Sequence, residues 1–374
     1  MKLRLPGPGK KTARFAVLAA ASALLVAGCT SQPRSPVVDP DAVRAKIRGL
    51  MPTAVANTES WAVDIYAAFE FLGVPVTTEH MCGVLAVIDQ ESNFQVDPPV
   101  PGLPAIARRE IEARARDHHI PKLLVSAALE LRSPDGRSYG ERLERARTER
   151  ELSELFEDFI SGVPLGERLF GDLNPVRTGG PMQVSIAFAE RHANERHYPY
   201  PIARNVRAEV FTRRGGLYFG IAHLLDYTAT YDDMVFRFAD YNAGHFASRN
   251  AAFQNAVNIA SGKRLELDGD LLIEGSSEPS ATELAIRAIG GRLDLHDAQI
   301  RGALEHGDDV EFERSALYER VMALADAVPP GRPVPRAMVP RIALKSPKIT
   351  RNLTTDWFAR RVDDRYKRCL ARAG

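Results

Sequence analysis

Apolar residues recur at intervals of three and four along most of the chain, the spacing that lines one face of a helix. The pattern predicts helices over 61–72, 79–90, 106–119, 122–131, 141–160, 184–195, 216–228 and 234–241. Long runs of alternating apolar and polar residues, which would mark half-buried strands, are missing, so the chain reads as all-α. The polar stretch 276–280 interrupts the pattern; two or three helices follow, then the proline-rich stretch 328–335 and a last helix over about 356–371.

The N-terminus follows a different rule. Lys2, Arg4, Lys10, Lys11 and Arg14 precede an apolar run over 15–27, the size of a signal-peptide core and too short to span a bilayer as a helix. The run ends in Val26-Ala27-Gly28-Cys29, which resembles the bacterial lipobox, in which the cysteine thiol receives the lipid. On that reading 1–28 is a signal peptide, Cys29 is the lipidation site, and the polar, proline-broken 29–40 is a tether. Several acyl chains, at roughly 0.8 kcal/mol per buried methylene, anchor stably where one would not. Thr30 rather than Asp follows the cysteine, which in lipoprotein sorting favours the outer membrane over the inner, with the folded part in the periplasm.

Composition adds exclusions. With 45% hydrophobic and 26% charged residues and a net charge of +1, the chain is an ordinary globular protein, and no basic arm or zinc-finger pattern points to nucleic acid. From residue 331 onward twelve Lys and Arg stand against three Asp, a local excess that a solvated helix face explains more readily than an anionic partner. No His-Glu-x-x-His occurs, His118 and His119 are adjacent, and His192 and His197 are five apart, so no metal site and no cofactor is expected. A Ser nucleophile lacks its Gly-x-Ser-x-Gly frame. In an oxidising compartment the two remaining cysteines, Cys82 and Cys369, could pair, or Cys82 could pack as a small hydrophobe in its apolar helix.

Candidate chemistry starts at Glu91. Val84, Val87, Ile88 and Glu91 stand at i, i+3, i+4 and i+7, so Glu91 continues an apolar stripe on a helix for which Thr78 is the expected N-cap. A carboxyl with apolar neighbours keeps its proton to higher pH, as a general acid must. Asp89 points to another face. The dipeptide Glu-Ser alone carries no information, because Glu59-Ser60 repeats it in another setting.

Three further segments supply the context: Gly179-Gly180-Pro181-Met182-Gln183, then Gly215-Gly216-Leu217-Tyr218 running to Leu224-Leu225, then Asp240-Tyr241-Asn242-Ala243-Gly244. In order, a helix ending Glu-Ser, a Gly-x-Met-Gln turn, a Gly-x-x-Tyr helix with a Leu-Leu end, and Tyr-Asn-Ala-Gly resemble the motifs of the soluble lytic transglycosylases and goose-type lysozymes. The resemblance covers about 78–95 and 179–260. It departs from the family in two ways: ninety-one residues part Glu91 from Met182 where the family has a few tens, and Pro181 and Asp240 stand where the family has Leu and Ala. It implies a lysozyme-like helical domain over 41–275, carrying inserted helices over about 104–165, followed by a C-terminal helical extension over 276–374. By the same resemblance Glu91 is the catalytic acid/base, and Ser92, Met182, Gln183, Tyr241 and Asn242 bind or position the sugar. The substrate is then the glycan strand of peptidoglycan, with the membrane reached through the lipid and the inserted and C-terminal helices open to a cell-envelope protein partner. The alternatives are a noncatalytic peptidoglycan-binding lipoprotein and, among enzymes, a lysozyme-type hydrolase.

Overall fold

A computed structural model describes residues 39–162, 174–328, 333–344 and 352–374. The signal run, the lipobox with Cys29 and most of the tether lie outside the described residues. Among the described residues helices dominate, and the fold is all-α apart from one short hairpin. In chain order they are α1 (Pro40–Leu50), α2 (Thr58–Leu72), α3 (Thr78–Glu91), α4 (Leu103–Asp117), α5 (Lys122–Glu130), α6 (Tyr139–Arg145) and α7 (Glu149–Ser161). The hairpin β1 (Thr178–Gly179) and β2 (Val184–Ser185) leads into α8 (Ile186–Glu195), α9 (Val206–Val210), α10 (Arg213–Leu225), α11 (Met234–Ala243) and α12 (Ala247–Ser261). Then come α13 (Ala281–Arg287), α14 (Gly290–Leu293), α15 (Asp297–Leu304), a 3-10 turn (Val310–Arg314), α16 (Ala316–Asp326) and α17 (Thr355–Ala373). No helix among the described residues is long and apolar enough to cross a membrane.

Local chemistry sets the ends of these helices, and it corrects three expectations. The single helix expected over 141–160 is two, because Ser138 and Thr148 each build a capping box, with Glu141 and Glu151 respectively, that starts a new helix. Thr77, not Thr78, caps α3, its side chain accepting from the His80 N–H at 3.1 Å. The first two residues of the helix expected over 184–195 are a strand, since Val184 and Ser185 pair antiparallel with Gly179 and Thr178 before Ser185 caps α8.

Two hydrophobic cores form. The first gathers Ile65 and Phe69 of α2, Val84 and Ile88 of α3, Leu217 and Phe219 of α10, and Phe238 of α11. The second gathers Phe253 and Val257 of α12 with Ile286, Ile300, Phe312 and Val321. Leu103, Leu143 and Leu152 of the expected insertion belong to the first core, so those helices extend it rather than form a lobe of their own; α5, which buries none of its residues, is the exception.

The expected C-terminal extension over 276–374 is likewise divided. Residues up to Val334 complete the second core, but α17 returns to the first, burying Phe358, Ala359, Val362 and Cys369 against α3 and α11. Cys82 of α3 and Cys369 of α17 are joined by a disulfide across 287 positions of sequence. Arg365 of α17 pairs with Asp89 at 3.0 Å, and the Arg372 guanidinium donates to the Leu50 carbonyl at 2.9 Å.

Candidate active site

The helix that presents Glu91 is held from all sides. Every residue of α3 from Met81 to Ile88 is buried, and the N-terminal cap fixes its start. Glu91 is half-buried at its last turn. Ser92 closes the helix, its hydroxyl donating to the Ile88 carbonyl at 3.0 Å, so that hydroxyl is spent on the helix end. Asn93 and Phe94 then both take left-handed backbone, with φ of 49° and 59°. Two successive non-glycine residues in this region are costly, and the chain there is held by packing: Phe94 is buried edge-on against Trp61, with ring centroids 5.5 Å apart.

The Gly-x-Met-Gln segment is the turn of the hairpin. Gly180 has a φ of +72°, and a side chain there would collide with the Val210 carbonyl. Met182 is wholly buried, and its thioether occupies the space left by Gly220 of α10, where an added Cβ would lie 2.5 Å from the sulfur. The side chain therefore locks the turn to α10 and does not face a ligand. Gln183 adopts φ of 52°; its amide donates to the Gly180 carbonyl at 3.3 Å and accepts from the Thr178 hydroxyl at 3.2 Å.

These segments meet at Tyr241. Its hydroxyl donates to the Met182 carbonyl at 2.7 Å, joining the end of α11 to the turn. Burial pushes the Tyr241 hydroxyl well above the usual phenol range, and the nearby Glu91 carboxylate adds to the shift. Glu91, the Met182 backbone and Tyr241 are thus brought together from positions far apart in sequence. Asn242 is exposed and takes a hydrogen bond from the Thr355 hydroxyl at 3.2 Å, which brings the start of α17 to the site.

Two cavities flank this point. One, of about 750 Å³, is lined by Arg114, Glu149, Arg177, Thr178, Asn242 and Thr355 among others. The second, of about 690 Å³, is lined in part by Phe188, His223, His245 and residues of the second core, and Ala243 and Asp270 line both. Glu91 and Gln183 are not among the residues lining either cavity; they adjoin the first through Tyr241-Asn242 and through the Gln183–Thr178 bond.

Sequence reasoning missed three contributors. Asp240, where the lytic transglycosylase motif has Ala, is fully buried and accepts from Tyr227, Tyr231 and the Ser248 N–H, tying the end of α11 to the start of α12. Burial raises its carboxyl above the usual range despite those donors. Thr355 belongs to a helix assigned elsewhere. His223 donates from Nε2 to the Tyr241 carbonyl at 3.2 Å, and burial holds its pKa down to about 3. The only sequence signal for Asp240 was the departure itself.

The protein is therefore a helical protein that places one half-buried acid beside a tyrosine-anchored turn, with adjoining cavities on the side of Asn242. Residues 54–372 match the model of a family described as Protein of unknown function (DUF1615), and the chain belongs to that family. A relative from Escherichia coli (strain K12), Uncharacterized protein YaiW, is 53% identical over 350 residues, which is 93% of this chain and 95% of the relative. No solved structure matches the chain.

Proposed function

We propose that the protein is a lytic transglycosylase with a lysozyme-like fold, lipid-anchored through Cys29 at the periplasmic face of the outer membrane, and that it cleaves peptidoglycan glycan strands. The observation that carries this reading is the meeting of Glu91, the Met182 carbonyl and the Tyr241 hydroxyl, the parts that the transglycosylase resemblance assigns to one cleft. Left-handed backbone at Asn93, Phe94, Gln183 and Phe246, beside three of the four motif segments, adds weight, because strain concentrates where geometry is functionally constrained.

In this mechanism protonated Glu91 donates its proton to the glycosidic oxygen between N-acetylmuramic acid and N-acetylglucosamine, and the C1–O bond breaks. The substrate's N-acetyl group supports the cationic C1. The Glu91 carboxylate then takes the proton of the muramoyl C6 hydroxyl, whose oxygen bonds to C1 and closes a 1,6-anhydro ring. One carboxyl serves both steps, so the second carboxylate of the usual glycosidase pair is not required. Met182 and Tyr241 act as positioning residues through backbone and hydroxyl, Gln183 stiffens the turn, Ser92 ends the helix, and exposed Asn242 contacts the glycan.

Mass analysis of purified sacculi digested with the protein tests the proposal. Anhydro ends are expected from wild type, and none from Glu91→Gln. Reducing ends would identify a hydrolase instead, and intact sacculi that nonetheless retain the protein would identify a noncatalytic binder.

A further inference from the structure

Asn242 lies in the last turn of α11, where its backbone and its side chain are held by different parts of the chain. The Tyr241 hydroxyl donates to the Met182 carbonyl at 2.7 Å and the His223 ring donates to the Tyr241 carbonyl at 3.2 Å, so the backbone leading into Asn242 is fixed from inside. The side chain is held by Thr355 alone. Its hydroxyl donates to Asn242 Oδ1 at 3.2 Å, and no other side-chain hydrogen bond of Asn242 forms among the described residues. With Oδ1 engaged, the amide orientation is set and its NH2, which can only donate, is left without a protein acceptor. Both residues line the first cavity.

Thr355 is a rigid support. It is fully buried, and its N–H donates to the Ile342 carbonyl at 3.0 Å. Beside it the Leu344 N–H donates to the Leu353 carbonyl at 2.8 Å, and Ala343 pairs with Thr354. Ile342, Ala343 and Leu344 line the same cavity, so the stretch that leads into α17 forms one of its walls. Thr354 caps α17, accepting from the Trp357 N–H at 3.2 Å, and the far half of that helix is fastened to α3 by the Cys82–Cys369 disulfide. An exposed asparagine in water samples several rotamers and both faces of its amide, and that freedom is lost when it binds a ligand. A buried hydroxyl on a rigid wall removes the freedom beforehand.

We infer that Thr355 is a positioning residue for the glycan-cleaving reaction, holding the Asn242 amide so that its NH2 donates to an oxygen acceptor of the bound glycan. The inference rests on the glycan reading and extends it to α17, a helix outside both stretches that the transglycosylase resemblance covers.

The test compares full-length wild type, Thr355→Val, Thr355→Ser, Asn242→Ala, Asn242→Asp and the double variant Thr355→Val/Asn242→Ala in steady-state cleavage of soluble glycan strands. Calorimetric titration of the same strands into the Glu91→Gln form of each gives Kd. Valine keeps the shape of threonine without its hydroxyl, and Oδ1 of the exposed Asn242 can turn to water, so the unfolding midpoint should stay near that of wild type. Thr355→Val should raise KM and Kd about three- to tenfold with kcat little changed, the pattern of an interaction shared by bound substrate and transition state. Thr355→Ser, which keeps the donor, should restore wild-type values. Asn242→Asp, which keeps the acceptor for Thr355 but lacks the NH2, should bind as weakly as Asn242→Ala. Adding Thr355→Val to Asn242→Ala should change nothing further, because Thr355 acts through that amide; a purely structural threonine would weaken both backgrounds equally. Unchanged KM in Thr355→Val, equal loss in Thr355→Ser, wild-type binding by Asn242→Asp, or additivity in the double variant overturns the inference, and with an active wild type it falls alone. If wild type binds glycan without cleaving it, the same pattern in Kd upholds the role of Thr355 while the catalytic reading falls. Neither cleavage nor binding removes both.

Discussion

The two cores of this protein are held together by opposite means. The first is closed from a distance: α17 arrives from the far end of the chain and is fastened to the Glu91 helix by a disulfide, by Arg365–Asp89 and by Thr355–Asn242. The second is local and stitched by buried charge. Glu283, fully buried, pairs with Arg287 and with Arg301, the latter at 2.9 Å. Arg249, also fully buried, donates to the Asp309 carbonyl at 2.7 Å, to the Gly307 carbonyl and to the Asn250 amide, and lies over Phe246 at 4.3 Å. A disulfide restricts the unfolded chain, whereas a buried ion pair is costly to assemble and costlier to break singly. The candidate site belongs to the core whose closure depends on the chain's far end, so its integrity and that of the second core should be separable.

Glu91→Gln gives the sharpest separation: activity on sacculi should fall ~10²- to 10⁴-fold, since one group performs both proton transfers, while the unfolding midpoint of both cores stays near that of wild type. Glu59→Gln is its matched control. Glu59 lies in the first turn of α2, exposed and paired with Arg48, and its loss should leave activity near normal. Activity equal to wild type in Glu91→Gln would remove the catalytic assignment.

Glu283→Gln comes next, with an expected loss of about 3–5 kcal/mol from the second core because the change removes its fully buried carboxylate and leaves Arg287 and Arg301 only the exposed Asp297 and Glu305 as partners. The chain's two tryptophans, Trp61 and Trp357, both pack in the first core, so fluorescence reports that core and circular dichroism reports both. In urea the dichroism transition of Glu283→Gln should precede the fluorescence transition; coincident, unshifted transitions would show that the two cores do not differ in this way.

Cys369→Ser should have the mirror effect, lowering the fluorescence midpoint by the equivalent of about 2–5 kcal/mol. Sacculus cleavage should fall with it as Thr355 loosens from Asn242. Thiol alkylation of the denatured, unreduced wild type should label neither Cys82 nor Cys369.

The effect absent at neutral pH comes from the stacked histidines beside Tyr241. His223 is held at about 3 in the folded protein against 6.5 when free, and His245 is lowered too. A depressed histidine means that the unfolded chain binds more protons, so this contribution to stability is complete above about pH 6.5 and drains as pH falls toward 3. For His223 the slope should approach about 1.4 kcal/mol per pH unit between those limits. His223→Gln, measured by denaturant midpoint from pH 7 to 4, should flatten that slope; an unchanged slope would place the acid sensitivity elsewhere.

Much of the local structure was readable from residue spacing. Apolar repeats located α2, α3, α4 and α10 to within a few residues, and the stripe Val84, Val87, Ile88 set Glu91 on the buried face of its helix. The capping boxes at Ser138 and Thr148 were equally local, yet the continuous apolar pattern through 141–160 masked them. Met182 and Ser92 looked like ligand contacts by resemblance. Packing against Gly220 and the bond to the Ile88 carbonyl instead absorb them into the scaffold.

Sequence alone determined the all-α class, the helix carrying Glu91 and the four motif segments, because helix periodicity and capping act over a few residues. Only tertiary structure decided that α17 leaves the second core to close the first, that Asp240 is buried among Tyr227, Tyr231 and Ser248, and that Ala243 and Asp270 join two cavities. Each of those outcomes depends on which amphipathic face finds which partner, a choice made by complementary burial and charge across tens to hundreds of residues, which no local pattern encodes.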